Sequence, residues 1–452
     1  YYWSWSKHLA FGYLDHPPAV AWLIASMSWF GQSPLAVRLP FILCEALAAL
    51  AVGRTAVVLS NDPRSATAAS VLFILLPQPR FALGEALPDG PYMLCWALTL
   101  LLATRATQQF RRSDMIYLGL ALGGALISRF FAWALLAGVV IFMLAPERRH
   151  LWKRGFWIAL VVAGLLYTPV IVWNATHGWA NFIFTLHYRL PFNAFSPARS
   201  LYFSSLRTQV FATVLWVVAI YTTIRPKYPL LAWTALPLTT AFECLSFFQT
   251  VESYWLLGPF TSLCVAIGIA YTRLQPVWKR VSLALWTVPA VYTMAAVLFW
   301  ALPEPAQATM LKASNDALKG PLYSPISVDR QLATDVRALA QAHAAAVLTD
   351  RYELASELLY NGVEAHIFGP APQVDQWYAW YHAGAISQRV LVLTIGRLAP
   401  GDELSRRLAR AFESIRPGPD LHYTFAGTSA ATFYTTWCER PRTDASLALF
   451  GH

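Results

Sequence analysis

The chain has 452 residues, of which 57% are hydrophobic and 13% are charged, whereas soluble domains carry about 25% charged residues. Its formal net charge is +10, but the basic residues do not gather on one polar segment as nucleic-acid binding requires. Composition therefore predicts a membrane protein and argues against a nucleic-acid partner. The five cysteines lack the spacing of a disulfide framework or a metal site, so we expect them to be packing residues.

The N-terminal segment combines Tyr and Trp side chains with Asp15, His16 and the pair Pro17-Pro18. Charges and paired prolines are costly in hydrocarbon, whereas aromatic rings favour the headgroup region. We therefore predict outer-loop interfacial helices over residues 1–34, with Asp15 and His16 facing whatever the membrane domain binds. A simple turn before the two prolines is the alternative.

Ten apolar stretches follow, each long enough, or nearly so, for the ~20 residues of a membrane-crossing helix. Basic residues fall in every second loop, while the intervening loops hold Glu85, Asp89 and Glu252. The positive-inside tendency then places the N-terminal segment and the acidic loops outside the cytosol. The predicted spans lie near residues 35–53, 66–84, 90–104, 115–128, 130–145, 156–173, 206–224, 229–248, 255–272 and 281–301.

The composition changes near residue 302. Residues 1–301 hold 21 Lys and Arg against 9 Asp and Glu, whereas residues 302–452 hold 13 against 15. Short apolar runs between helical patterns, including a predicted helix over Glu403–Ile415, indicate a small α/β fold there. The sequence thus predicts a polytopic transmembrane domain over 1–301 and a soluble extracytoplasmic domain over 302–452.

Polar residues at the outer ends of the spans are candidates for chemistry. Asp89 suits a helix N-cap as well as a catalytic or substrate-binding role, and the two are compatible. Arg38, Arg80 and Arg129 lie on the outer side, which the positive-inside tendency does not explain. A phosphate in the membrane plane would need such donors, although interfacial arginines also snorkel to lipid headgroups.

Several common chemistries have no motif in the sequence. There is no P-loop, no glycine-rich dinucleotide turn, no HExxH and no Asp-x-Asp pair. Because nucleotide-activated donors are cytosolic, an outward-facing site needs an activated substrate that arrives in the membrane, most simply a polyprenyl-phosphate conjugate.

Several short motifs also follow one another along the chain in a characteristic order. They are Tyr1-Tyr2-Trp3, Tyr13 with Asp15-His16-Pro17-Pro18, Val37-Arg38-Leu39-Pro40, Pro88-Asp89-Gly90-Pro91, Asn174 with His177-Gly178-Trp179, Glu252 with Trp255, and Thr349-Asp350-Arg351-Tyr352. In this order the chain resembles bacterial membrane glycosyltransferases of the GT-C type. That superfamily includes protein O-mannosyltransferases, lipid A aminoarabinose transferases and rhizobial galacturonosyltransferases. One element, Ser128-Arg129-Phe130, departs from the family's Ser-Lys-Tyr in two of three residues.

The resemblance implies inverting transfer of a sugar from a polyprenyl-phosphate donor to a lipid, lipopolysaccharide or protein acceptor. The site would lie at the periplasmic face of the bacterial inner membrane. No cofactor is required, though the acidic residues leave room for a divalent metal. The implied catalytic residues are Asp89 and Asp15, the implied phosphate-binding residues are Arg38, His16, Arg129 and Arg80, and the implied cavity residues are Tyr2, Tyr13, Glu85, His177, Trp179, Glu252 and Trp255.

The resemblance also implies a missing element. The family's acidic pair in the first outer loop, whose first aspartate is regarded as the catalytic base, would precede Tyr1. We therefore expect an N-terminally truncated chain that is inactive as it stands. The main alternative is a transporter or flippase of a polyprenyl-linked lipid, and a third is a binding module on a membrane anchor. Polar groups at the outer rim rather than the bilayer midplane favour the enzyme.

Overall fold

The computed structural model divides the described chain into two compact units. One is Leu9–Leu298, and the other joins Tyr1–His8 to Phe299–His452. The structure describes residues 1–75, 85–188, 193–202, 228–303, 306, 309, 326–370, 373–381, 387–425 and 428–450.

The unit Leu9–Leu298 is built from helices. Nine of the ten predicted spans overlap described helices, although residues 76–84 of the span near 66–84 lie outside the described residues. The tenth span, near 206–224, lies wholly outside them. Three described helical stretches are long and apolar enough to cross a membrane, namely Pro34–Ser60, Pro146–Thr176 and Tyr254–Arg273, so the total number of spans stays a prediction. The main helices are α1 (Ala19–Ser26), α2 (Pro34–Ser60), α3 (Arg64–Ile74), α4 (Asp89–Gln108), α5 (Arg112–Leu126), α6 (Ala132–Leu144), α7 (Trp157–Thr176), α8 (Pro229–Ser246), α9 (Leu257–Arg273) and α10 (Pro276–Ala301).

Local sequence signals set the ends of α2. The Ser33 side chain accepts a hydrogen bond from the Ala36 backbone N–H at 3.2 Å, and Pro34 occupies the first helical turn. Both features favour a helix start. The helix ends at Asn61, whose left-handed backbone conformation (φ 57°) is one that asparagine tolerates better than most residues. These signals fix which side chains lie at the N-terminal end of α2.

Small residues allow α5 and α7 to pack closely. Gly119 and Gly123 lie one turn apart on α5, as in the small-xxx-small pattern of membrane helix pairs. A Cβ at Gly119 would lie 2.6 Å from the Ala159 carbonyl oxygen, and one at Gly123 would lie 3.2 Å from the Ala163 Cα. Larger residues on this face of α5 would therefore separate the two helices.

Buried hydrogen bonds connect three further helices. The Trp96 indole on α4 donates to the Ser262 hydroxyl on α9 at 2.8 Å. Ser262 in turn shares a 2.8 Å hydrogen bond with Thr234 on α8. Because an apolar interior offers few replacement partners, the bonds favour one arrangement of α4, α8 and α9.

The second unit contains a mixed sheet. Its strand order is β2-β1-β3-β6-β4, with β5 paired to β6. Strand β1 pairs parallel with β2 and β3, whereas the pairs made by β6 are antiparallel. The strands are β1 (Ala346–Thr349), β2 (His366–Ile367), β3 (Arg389–Thr394), β4 (Phe412–Pro417), β5 (Leu421–Phe425) and β6 (Thr428–Pro441), and the helices are α11 (Ile326–Ala342), α12 (Tyr352–Tyr360), α13 (Gln373–Tyr381), α14 (Glu403–Ala411) and α15 (Ala445–Phe450).

One element of this unit differs from the prediction. The helix expected over Glu403–Ile415 ends at Ala411, and strand β4 begins at Phe412. Residues of β4 pair with the long strand β6, for example Ile415 with Cys438. Pairing with a strand distant in sequence therefore overrides the helical pattern at this point, as is common for short segments.

The first eight residues also differ from the prediction, which assigned them to the transmembrane domain. They pack in the second unit through paired aromatic rings. The ring centroids of Tyr1 and Tyr352 are 4.3 Å apart, those of Trp3 and Tyr360 are 5.0 Å apart, and His8 stacks on Trp380 at 5.0 Å. The helices before α2 are short, namely Tyr2–Trp5, α1 and the 3-10 helix Ser28–Phe30. Their aromatic side chains have protein partners.

Candidate active site

The turn that carries Asp15 and His16 is fixed by hydrogen bonds. The Tyr13 backbone N–H donates to the His16 carbonyl at 3.2 Å, which closes the turn. The Asn181 side-chain amide donates to the carbonyl oxygens of Tyr13 and Leu14 at 2.8 and 2.7 Å. Asp15 and His16 are only 3% and 4% exposed. An acidic group and an imidazole are therefore held together inside the protein, apart from bulk water.

A second link places this turn beside the end of α5. The Ala19 backbone N–H, directly after Pro17-Pro18, donates to the carbonyl of Ile127 at 3.1 Å. Ile127 lies two positions before Arg129. The fixed φ angles of the prolines restrict the chain between the turn and this anchor. The turn and Arg129 are thus neighbours.

Arg129 forms a buried ion pair with Asp89. The two side chains are 2% and 4% exposed. The guanidinium group also lies over the rings of Tyr254 and Phe131, at 5.1 and 5.4 Å from their centroids. Removing two charges from water is expensive even when they are paired. A buried pair at the end of apolar helices is therefore a strong indication of a functional site.

The position of Asp89 excludes one of the two interpretations suggested by the sequence. Asp89 is the first residue of α4, the N-cap position belongs to Pro88, and no side chain caps this helix end. Asp89 therefore pairs with Arg129 instead of acting as an N-cap. Its charge at the first turn still interacts favourably with the helix dipole.

A small pocket brings these groups together. Its wall combines one carboxylate, one imidazole and one guanidinium group with aromatic rings and a hydroxyl. Asp15, His16, Arg129 and Trp255 were predicted site residues, whereas no motif had marked Thr185. The pocket is lined by Asp15, His16, Arg129, Phe130, Phe131, Thr185 and Trp255.

Arg38 lies near the Asp89 end of the helices but does not line this pocket. A Cβ at Gly90 would lie 3.6 Å from the Phe41 Cα, so the first turns of α2 and α4 pack against each other. Arg38 lies three residues, about one helical turn, before Phe41, and Asp89 lies directly before Gly90. Arg38 is half-buried and makes no hydrogen bond or ion pair with any residue that the structure describes. Its charge is available to an anion at this end of α2.

The other predicted cavity residues do not line the pocket. His177 is exposed and stacks on Trp173 at 4.3 Å, and Trp179 is 46% exposed. Glu85 and Glu252 are half-buried in the segments before α4 and α9. Tyr2 contacts Tyr1 and Trp5 in the second unit, Tyr13 is buried behind the Asp15 turn, and Arg80 lies outside the described residues.

Tyr13 has a structural role. Its hydroxyl accepts a hydrogen bond from the Ala10 backbone N–H at 3.1 Å. Burial raises the pKa of Tyr13 to about 12, so its hydroxyl stays protonated at physiological pH. Tyr13 thus supports the turn that carries Asp15 and His16. Among the described residues, no group of three or more His, Cys, Asp and Glu side chains is arranged to hold a metal ion.

The chain is similar to several known proteins. A family model described as dolichyl-phosphate-mannose-protein mannosyltransferase matches residues 15–173, a stretch that includes Asp15, Arg38, Asp89 and Arg129. The lipid A galacturonosyltransferase RgtD of Rhizobium johnstonii is 24% identical over 421 residues, which cover 87% of this chain and 85% of that protein.

Two crystal structures of ArnT from Cupriavidus metallidurans share the fold. The apo structure matches with a TM-score of 0.57 and 15% identity, and the match covers 94% of this chain and 88% of that one. The structure bound to undecaprenyl phosphate also gives 0.57 and 15%, with coverage of 96% and 92%. The described chain therefore has the fold of ArnT.

The family model, the relative and the shared fold all support the resemblance to the GT-C superfamily that the sequence motifs indicated, and that resemblance is confirmed. The proteins to which this chain is similar include glycosyltransferases of that type.

Proposed function

We propose that this protein transfers a sugar from a polyprenyl-phosphate donor to a lipid acceptor, with lipid A as the leading candidate. The observation that carries the proposal is the pocket in which Asp15, His16 and Arg129 are buried together. Two relatives support the substrate classes, since one is described as acting on lipid A and another was crystallised with undecaprenyl phosphate.

The donor phosphate binds the cationic side of the pocket. Arg129 offers the planar donor fork that suits a phosphate, and His16 adds a further donor. Arg129 is already paired with Asp89, so the carboxylate holds the guanidinium in place before substrate arrives. Such preorganised donors stabilise the charge that develops on a departing phosphate. Arg38 strengthens the positive potential from the end of α2.

In the transfer step, an acceptor hydroxyl oxygen attacks the anomeric carbon of the donor sugar. The new carbon–oxygen bond forms while the bond from that carbon to the phosphate oxygen breaks, and the polyprenyl phosphate leaves with the electron pair. The hydroxyl proton passes to a carboxylate base. Among the described carboxylates, Asp15 is the best placed, because it lines the pocket itself. A single in-line displacement inverts the anomeric configuration.

We place this pocket at the periplasmic face of the inner membrane. The alternation of basic and acidic loops supports that orientation through the positive-inside tendency. It also agrees with the supply of substrate, because a polyprenyl-linked sugar reaches the outer leaflet without a soluble nucleotide donor.

The test is sugar transfer by the full-length protein in lipid nanodiscs. Polyprenyl phosphates that carry radiolabelled galacturonic acid or mannose are offered with lipid A, and the products are separated by chromatography. We expect labelled lipid A and free polyprenyl phosphate. Asp15→Asn should lower kcat by about 10²- to 10³-fold, and Arg38→Ala, which removes a charge outside the pocket wall, should lower kcat by a smaller factor.

The controls are Asp62→Asn and Arg64→Ala, which alter an exposed pair at the start of α3 and should leave the rate unchanged. Intact donor after prolonged incubation, together with its movement across sealed vesicles, would instead identify a flippase. Full activity in Asp15→Asn or Arg38→Ala would remove that residue from the mechanism.

A further inference from the structure

Two polar atoms in the pocket wall stand apart from the charged groups. The Thr185 hydroxyl oxygen and the Trp255 indole nitrogen are buried, and neither makes a hydrogen bond within the part of the chain that the structure describes. Both residues line the pocket. A buried donor without a partner is costly because it has lost its hydrogen bonds to water. A ligand that supplies the partner removes this cost.

The Trp255 ring is held in one orientation. Its centroid lies 5.6 Å from that of Phe131 and 5.5 Å from that of Phe242. Phe131 and Phe242 also contact each other edge-on at 5.0 Å. The side chain of Trp255 is only 4% exposed. Because an indole N–H is solely a donor, this cluster presents a donor of fixed direction.

Thr185 lies on an unusual backbone element. Residues Phe184–Tyr188 form a π-helix, a rare conformation that is frequent at functional sites. One turn earlier, Asn181 binds the carbonyl oxygens of Tyr13 and Leu14. The segment that presents Thr185 is therefore tied directly to the loop that presents Asp15.

We infer that Thr185 and Trp255 form the sugar-recognising wall of the pocket. Their hydroxyl and indole N–H bind oxygen atoms of the transferred sugar, while Arg129 and His16 hold the phosphate. This inference rests on the proposed function and names two residues that determine donor specificity. Asn181 acts through Thr185 and is a positioning residue.

The chemistry of the wall favours a sugar over the other parts of the substrates. A prenyl chain has no atom that accepts a hydrogen bond, and a phosphate would be drawn to the charged side of the pocket.

The experiment compares binding of donors with and without a sugar. Undecaprenyl phosphate and polyprenyl phosphates carrying mannose or galacturonic acid are titrated into the full-length protein. Wild type should bind at least one sugar conjugate more tightly than bare undecaprenyl phosphate. Thr185→Val and Trp255→Phe keep the side-chain shape but remove the polar atom. Each should weaken binding of that conjugate about tenfold, or about 1.4 kcal/mol, and leave binding of bare undecaprenyl phosphate unchanged.

Matched controls are Thr168→Val and Trp157→Phe. Thr168 is exposed on α7 and bonds the Gly164 carbonyl at 2.8 Å, and Trp157 is 55% exposed. Neither should change binding of any ligand. Melting temperatures establish that all four variants are folded.

The outcomes separate the two proposals. If wild type binds undecaprenyl phosphate as tightly as both sugar conjugates, Thr185 and Trp255 do not recognise the sugar. The proposed phosphate site is then unaffected. Equal losses for bare and sugar-bearing ligands would assign Thr185 and Trp255 to packing alone, and no loss for either ligand would also overturn the inference. If wild type binds none of the polyprenyl phosphates, the proposed function itself fails.

Discussion

Two aspartate–arginine pairs in the unit Leu9–Leu298 differ in their surroundings. Asp62, in the loop before α3, and Arg64, the first residue of α3, are 3.0 Å apart, with side chains 23% and 79% exposed. Asp89 and Arg129 come from distant segments, and their side chains are 4% and 2% exposed. The first pair stabilises a local turn in water. The second places two charges in an apolar interior.

The two pairs differ in the free-energy cost of removing their charges from water. The hydrogen bond from Arg64 lowers the pKa of Asp62, as expected of a solvated pair that contributes little to stability. Apolar side chains of similar volume often replace a buried ion pair without loss of stability. Stability alone therefore does not explain the Asp89–Arg129 pair. The pair that is costly to bury is the one beside the pocket, and this contrast supports a functional role for Asp89 and Arg129.

The largest effect is expected from breaking the buried pair on one side. Arg129→Met leaves Asp89 buried without its counter-charge, so the free energy of unfolding should fall by about 3–5 kcal/mol. The double variant Asp89→Leu/Arg129→Met should recover most of that loss but show no sugar transfer. Denaturant unfolding in detergent, followed by circular dichroism, measures the stability, and the transfer assay measures the activity.

The exposed pair provides the control for this experiment. Asp62→Asn and Arg64→Ala should leave both the unfolding transition and the transfer rate unchanged. A double variant at the buried pair that remained active would contradict the functional role. A double variant as unstable as Arg129→Met alone would show that the pair contributes to stability after all.

A smaller loss of stability is expected from disturbing the close packing of α5 and α7, where no charge is involved. Gly119→Ala would place a Cβ 2.6 Å from the Ala159 carbonyl oxygen, so α5 and α7 must separate, at a cost of about 1–3 kcal/mol. A Cβ at Gly164 on α7 would meet no atom of the described residues within 4 Å, and Gly164→Ala should be neutral or stabilise by up to about 1 kcal/mol. Thermal melting of both variants checks this pair, and equal melting temperatures would mean that α5 and α7 do not pack as described.

Sequence patterns predicted the parts of the fold that depend on local properties. Apolar runs predicted helices α2–α10, and short apolar runs between helical patterns predicted a small α/β fold, whose strands include Ala346–Thr349. The helix expected through Ile415 was wrong because its end is decided by pairing with β6. The first eight residues look interfacial in sequence, but their rings contact α12 and α13 in the second unit.

The candidate site was also predicted only in part, because local motifs are visible in the sequence and contacts between distant segments are not. Asp15, His16, Arg129 and Trp255 belong to recognisable motifs, and the structure brings them to one pocket. Thr185 and Asn181 belong to no motif, and their roles depend on a π-helix and on contacts with a loop distant in sequence. His177 and Trp179 were expected in the cavity, but both are exposed. Pairing of Asp89 with Arg129 could not be derived from spacing either.

The central claim is that the buried pocket beside the Asp89–Arg129 pair holds the donor phosphate. The most direct measurement is an electron cryomicroscopy structure of the full-length protein with undecaprenyl phosphate bound. We predict the phosphate within hydrogen-bonding distance of Arg129 and His16, with Asp89 still beside the guanidinium group. A phosphate bound elsewhere, for example beside Arg148 and Arg149 at the start of the stretch Pro146–Thr176, with this pocket empty, would contradict the account.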